Sequence, residues 1–116
     1  MLTPIKQVRF TYLASPYTHD DADVRHERYV CACRAAAYLM ARGEVIFSPI
    51  AHSHPIEQQG GRMESGEFWR RQDEPYLEFC SKLYVLLLAG WDRSAGVAHE
   101  IRRAIERGIP VEFIEP

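Results

Sequence analysis

Short apolar runs take turns with longer mixed segments along this chain. Val8 to Ala14 (VRFTYLA) is apolar and aromatic with β-branched residues, and reads as a strand closed by Ser15-Pro16. The carboxylates and capping candidates of His19-Asp20-Asp21-Ala22-Asp23 open a helix over about Asp21 to Ala41, with Val30, Cys33, Ala37 and Met40 along one face. Gly43 stops it at the C-terminal cap. Val45-Ile46-Phe47 is a second short strand, closed by Ser48-Pro49. Residues 50 to 65 hold His52, His54, Pro55, Gly60 and Gly61 with no clear period, and read as a long loop. A helix follows from about Ser65 to Cys80, which Pro75 should kink or divide in two. Lys82 to Leu88 (KLYVLLL) is the most hydrophobic strand, and its near-continuous apolar character suits a central strand covered on both faces. Gly90 to Arg93 forms a loop, and Ser94 caps a helix that ends at Gly108, with Val97, Ile101, Ala104 and Ile105 as its buried stripe. Pro110 to Ile114 is the last strand, and Phe79 and Tyr84 are expected in the core.

The resulting order, β-α-β-α-β-α-β, predicts an α/β fold: a three-layer sandwich with a parallel four- to five-stranded sheet, flavodoxin- or Rossmann-like. Residues 1–116 are read as a single domain, near the usual domain size. In such sheets ligands bind beyond the carboxyl ends of the strands, where the strand order reverses. The strand ends at Ser15 and Gly90 are therefore the first places to look.

Composition narrows the partners. A net charge of −2 does not point to polyanion binding, so no nucleic-acid partner is expected. The longest apolar run, Leu83 to Gly90, is too short to span a bilayer, and Met1-Leu2-Thr3-Pro4-Ile5-Lys6 lacks the layout of a secretory signal. Cys31, Cys33 and Cys80 form no Cys-x-x-Cys pair and read as free thiols in a reducing compartment. The expected location is cytoplasmic.

Glu100 is the sharpest chemical feature. On a regular helix it lies about 60° from Val97 and about 40° from Ala104, at the border of the buried stripe. There it can reach the ligand crevice, and partial burial would raise its pKa. The competing structural role is a surface ion pair with Arg103 or Arg107. The preceding stretch, Trp91-Asp92-Arg93-Ser94-Ala95-Gly96, offers a hydroxyl, a carboxylate and free N–H groups at a helix N-terminus, a place that binds anions and sugar hydroxyls.

Three stretches resemble one family. Tyr12-Leu13-Ala14-Ser15-Pro16-Tyr17 is similar to the Y-(I/L)-A-(G/S)-P-(Y/F) opening of the nucleoside 2-deoxyribosyltransferase superfamily. Asp92-Arg93-Ser94-Ala95-Gly96-Val97-Ala98-His99-Glu100 resembles its D-x-x-S-x-G-x-x-x-E segment, and Ala104 with Gly108-Ile109-Pro110-Val111 resembles its ending. Within the superfamily the closer likeness is to small bacterial and phage proteins with a Ser-Pro-Ile-x-His-x-His-Pro stretch, here Ser48 to Pro55. The resemblance implies an enzyme that cleaves or transfers an N-glycosidic bond of a (deoxy)nucleoside or nucleoside 5′-monophosphate. Glu100 then matches the nucleophile, Tyr12 the tyrosine that orients it, and Ser94 a position touching the sugar or its 5′ substituent. Asp73 matches the acid that handles the base, with Glu74 and Glu78 as alternatives. Ser15 stands where many transferases have glycine. Pro16, Tyr17, Trp69, Asp92 and Gly96 complete the expected substrate contacts. No cofactor is expected, and a homodimer or higher homo-oligomer is implied.

Other side chains keep alternatives open. His52 and His54 read as pocket-lining or phosphate-bonding residues, as a metal site with His19, His26 or Glu57, or as a structural loop. Trp69 offers a stacking face, and Arg70, Arg71, Arg25 and Arg28 offer phosphate partners. Trp91 is a candidate for the pocket wall beside Tyr17. Two further functions therefore stand beside the glycosidic one: a non-catalytic nucleotide-sensing module, and a metal-dependent hydrolase built on His52 and His54.

Overall fold

The computed structural model describes residues 9–60 and 66–116. The N-terminal segment Met1 to Lys6, the expected strand start at Val8, residues 61–65 of the expected loop and the expected helix start at Ser65 lie outside the described residues. The elements run β1 (Thr11–Ala14), α1 (Ala22–Ala41), β2 (Ile46–Phe47), α2 (Pro49–Gly60), α3 (Gly66–Phe79), β3 (Lys82–Leu86), a single 3₁₀ turn (Trp91–Arg93), α4 (Ala95–Glu106) and β4 (Val111–Ile114). The four strands are parallel and lie in the order β2-β1-β3-β4.

Alternation along the strands divides the core into two layers. Tyr12 and Ala14 of β1 and Leu83 and Val85 of β3 pack with Leu77 of α3 and with Val97 and Ala104 of α4. Leu13, Tyr84 and Leu86 face the other way, onto Ala36 and Leu39 of α1. Helices thus cover both faces of the parallel sheet, as the pattern predicts.

α1 and α4 each end on the glycine the sequence points to. Gly43 (φ 93°) donates to Met40 O at 2.9 Å, and Glu44 N–H reaches back to Leu39 O at 3.2 Å. Gly108 (φ 70°) donates to Ile105 O at 3.1 Å while Ile109 N–H bonds Ala104 O at 2.9 Å. Each is a Schellman motif, whose left-handed residue favours glycine.

Several details differ from expectation. The segment read as a loop after Ser48 is α2 over residues 49–60. Ser48 Oγ accepts from Ala51 N–H at 3.1 Å, and Pro49 occupies the first helical position, where its missing N–H costs nothing. Ser48-Pro49 therefore ends a strand and starts a helix at once. α3 is one helix rather than two pieces. Pro75 and Arg71, the residue whose carbonyl Pro75 leaves unbonded, are both exposed, so water can take that carbonyl. The buried face of α1 is Ala32, Ala36 and Leu39, and Ala37 and Met40 are exposed. Residues 29–40 are nearly all apolar or small, so hydrophobicity alone does not set the helix phase; small alanines let the helix approach the sheet. Ile105 is 68% exposed and Phe79 71% exposed, both outside the core, because Ala104 and Leu77 take the inward positions on their helices. β3 ends at Leu86, two residues early, because Leu88 N–H turns back to Leu86 O.

Candidate active site

The strand order places a reversal between β1 and β3, and a cavity of about 1050 Å³ opens beyond their carboxyl ends. Tyr12, Ser15 and Tyr17 come to it from β1 and the loop after it. His54 comes from α2, Trp69 and Asp73 from α3, and Ser94, Gly96 and Glu100 from the start of α4. Three expected contacts lie off this wall. Pro16 is fully buried, His52 is exposed and packs near Phe47 and Tyr76, and Asp92 is exposed in the 3₁₀ turn. Trp91 packs on Phe113 and the core instead of the cavity.

Glu100 does not make the surface ion pair that its helical spacing allows. Arg103 pairs with Glu74 at 2.8 Å and Glu106 at 2.9 Å, and Arg107 pairs with Glu78 at 3.0 Å. Glu100 Oε2 accepts a hydrogen bond from the hydroxyl of Tyr12, 88 positions away in sequence. The Tyr12 ring is fully buried in the core, so its hydroxyl is presented to the cavity by a rigid support.

The three acids of α3 have separate surroundings. Glu74 is held by Arg103 and lies 3.4 Å from His99; burial acts to raise its pKa, but those two hydrogen bonds outweigh it and the net shift is downward. Glu78 is engaged by Arg107. Asp73 Oδ1 is buried without a hydrogen-bond partner, a state it shares among the described residues with Ser15 Oγ. Burial lifts the Asp73 carboxyl to about 7. Burial also lifts Glu100, to about 8; the Tyr12 hydrogen bond opposes this, and the charges of Asp73 and Glu74 add to it. The two carboxyls feel each other and hold about one proton between them near neutrality.

The mouth of the cavity is shaped by two loops and α2. Ser94 Oγ caps α4 by accepting from Val97 N–H at 3.2 Å; Ala95 and Gly96, in the first turn, have backbone N–H groups without intrahelical acceptors. Arg28 is not a free phosphate ligand. Its guanidinium donates to Thr18 O at 2.9 Å, Tyr17 O at 3.4 Å and Ala89 O at 3.3 Å, tying the loop after β1 to the loop after β3. Arg25, on the cavity wall, donates to His19 O and Asp20 O. His54 is only 6% exposed, bonded to Tyr17 at 2.7 Å and stacked on Tyr29 at 4.2 Å. Reading α2 as a loop hides Gln58 as a lining residue and Tyr29 as the ring on which His54 stacks. The Ser-Pro helix start was the signal, since it puts His54 and Gln58 one turn apart. On a helix, His52 and His54 diverge. Among the described residues no group of three His, Cys, Asp or Glu is placed to hold a metal ion, and no helix is long and apolar enough to cross a membrane.

One family matches almost the whole chain, over residues 9–115, under the description "Domain of unknown function (DUF1937)". The chain belongs to this family. No curated protein matches it. Among solved structures, this DUF1937 chain is similar to a 2-deoxyribosyltransferase from the psychrotolerant bacterium Bacillus psychrosaccharolyticus. The two are 23% identical, with a TM-score of 0.63, over 94% of this chain and 73% of the other. That likeness shows a shared α/β fold for the DUF1937 chain.

Proposed function

We propose that this protein cleaves or transfers the N-glycosidic bond of a (deoxy)nucleoside or nucleoside 5′-monophosphate. The observation that carries the reading is the Tyr12–Glu100 hydrogen bond at the same cavity wall as the unpartnered carboxyl of Asp73. Cleaving a C1′–N bond builds positive charge on the sugar and negative charge on the departing base. A carboxylate beneath the sugar answers the first need and a protonated acid the second. The reactive form of the pair has the charge on Glu100, where Tyr12 donates to it, and the proton on Asp73, where Oδ1 has no donor to stabilise an anion. With Glu100 near 8 and Asp73 near 7, it is the less populated of the two one-proton forms. Glu100 attacks C1′, the C1′–N bond breaks, and the base leaves with the Asp73 proton. Water then opens the glycosyl ester in hydrolysis and returns a proton to Asp73; a second base does so in transfer. This is the two-carboxylate logic of retaining glycosidases. The fold shared with the deoxyribosyltransferase supports the reading.

Ser94 and Gly96 are placed to meet the sugar or its 5′ substituent at the α4 N-terminus, and Trp69 to stack on the base. The test is a panel of deoxynucleosides and deoxynucleotides read by chromatography for released base. Wild type should release base from at least one member, and Glu100→Ala from none. Equal behaviour of the two proteins across the panel would end the proposal.

A further inference from the structure

The part of the cavity wall formed by α2 and the loop after β1 carries a hydrogen-bond chain that the chemistry above does not use. His54 Nε2 faces the amide nitrogen of Gln58 at 3.4 Å, and His54 Nδ1 faces the Tyr17 hydroxyl at 2.7 Å. The ring is pinned by stacking on Tyr29 and is nearly closed to solvent. A side-chain amide nitrogen can only donate, so His54 Nε2 is the acceptor. A neutral imidazole has one N–H, which must then sit on Nδ1 and donate to Tyr17 Oη. The Tyr17 proton is left free to point elsewhere, and Tyr17 lines the cavity.

We propose that the Gln58–His54–Tyr17 chain fixes Tyr17 as a donor to the ligand, so that the site selects a base with a keto oxygen over the same base with an exocyclic amine. This rests on the N-glycoside reading. Tyr17 is the residue that touches the base, and His54 and Gln58 position it. Charge supports the polarity. Burial first, then the charges of His26 and Arg25 on α1, lower the His54 pKa against the pull of Glu57 on α2, so the ring stays neutral. Burial and the Glu57 charge raise the Tyr17 pKa over the opposing influence of Arg25, so the phenol keeps its proton. An amine facing Tyr17 would set donor against donor, and sites built for one hydrogen-bonding pattern reject the wrong one strongly.

Two measurements test this. Long-range proton–nitrogen NMR on the full chain, with His54 assigned by its loss in His54→Asn, should show the proton on Nδ1. Calorimetry with Glu100→Gln, which removes turnover, compares deoxyinosine with deoxyadenosine and deoxyuridine with deoxycytidine. The keto member of each pair should bind about tenfold more tightly. Adding Tyr17→Phe should bring each pair within about twofold, and adding Gln58→Leu at this exposed position should narrow the gap. A proton on Nε2, or amino members binding as well as keto members, overturns the inference. Base release without keto preference removes this inference alone. Failure of all four nucleosides and of their 5′-monophosphates to bind, with the Nδ1 proton observed, removes the N-glycoside reading and this inference with it.

Discussion

Tyr12 spends its ring in the core and its hydroxyl in the site. Removing only the oxygen, by Tyr12→Phe, leaves the packing intact and the buried Glu100 carboxyl without its donor. The expected result is about a hundredfold loss of kcat for base release, with the alkaline limb of the pH profile moved to higher pH, because Glu100 has the higher of the two values and the lowering contribution to it is gone. The carboxyl pair predicts the shape of that profile. With Asp73 near 7 and Glu100 near 8, activity should peak between those values. It should fall below as both carboxyls protonate, and above as both ionise. Stability has the opposite bias. The folded pKa of Glu100 lies above its ordinary 4.5, so the folded state holds a proton that the unfolded chain releases. Stability is therefore lost as pH rises from about 4.5 to about 8. Glu100→Gln, which cannot ionise, should be more stable than wild type at pH 8 by on the order of 4 kcal/mol, and no more stable at pH 4, by urea denaturation.

At the scale of elements, the site depends on how two loops are tied. Gly90 has φ 93°, and a Cβ there would come within 2.7 Å of Arg28 Nη2. Gly90→Ala should cost about 1–3 kcal/mol of stability. It should also raise KM by loosening the loops that carry Tyr17 and Ser94, although it touches neither; unchanged KM would show that the Arg28 tie is not what shapes the mouth. The elements also show what was legible in the sequence. Gly43, Gly108, Ser94 and the KLYVLLL run carry local signals strong enough to mark helix ends and a central strand. α2 is concealed because Pro55 and two histidines hide its period, although Ser48-Pro49 states its start. The phase of α1 is not encoded by hydrophobicity, because a helix of alanines and apolar residues has no single apolar face. Pattern and resemblance single out Glu100 and Tyr12, but their hydrogen bond spans 88 positions and exists only in the folded chain. The same is true of Arg28, whose carbonyl acceptors lie in two distant loops.

At the scale of the whole molecule, the sheet order puts β1 and β3 in the middle and β2 and β4 at the edges. Amide exchange should be slowest at Leu13 and Val85, in strands flanked on both sides, and faster by about tenfold or more at Ile46 and Phe113. Uniform protection across the four strands would contradict that hierarchy. The central strands are also those whose carboxyl ends open onto the cavity. The backbone expected to be most protected thus supports the candidate chemistry, while α2 and the two tied loops complete the wall.

The shared use of Tyr12 has a consequence for how this protein tolerates change. Because one side chain serves both packing and the candidate chemistry, random variants that lose turnover should map not only to the cavity lining but also to Phe47, Leu83 and Val97, its neighbours in the hydrophobic interior. Such variants would still fold and still bind ligand. A screen that scores folding alone would pass them, and only an assay of turnover would reveal that the interior had been altered.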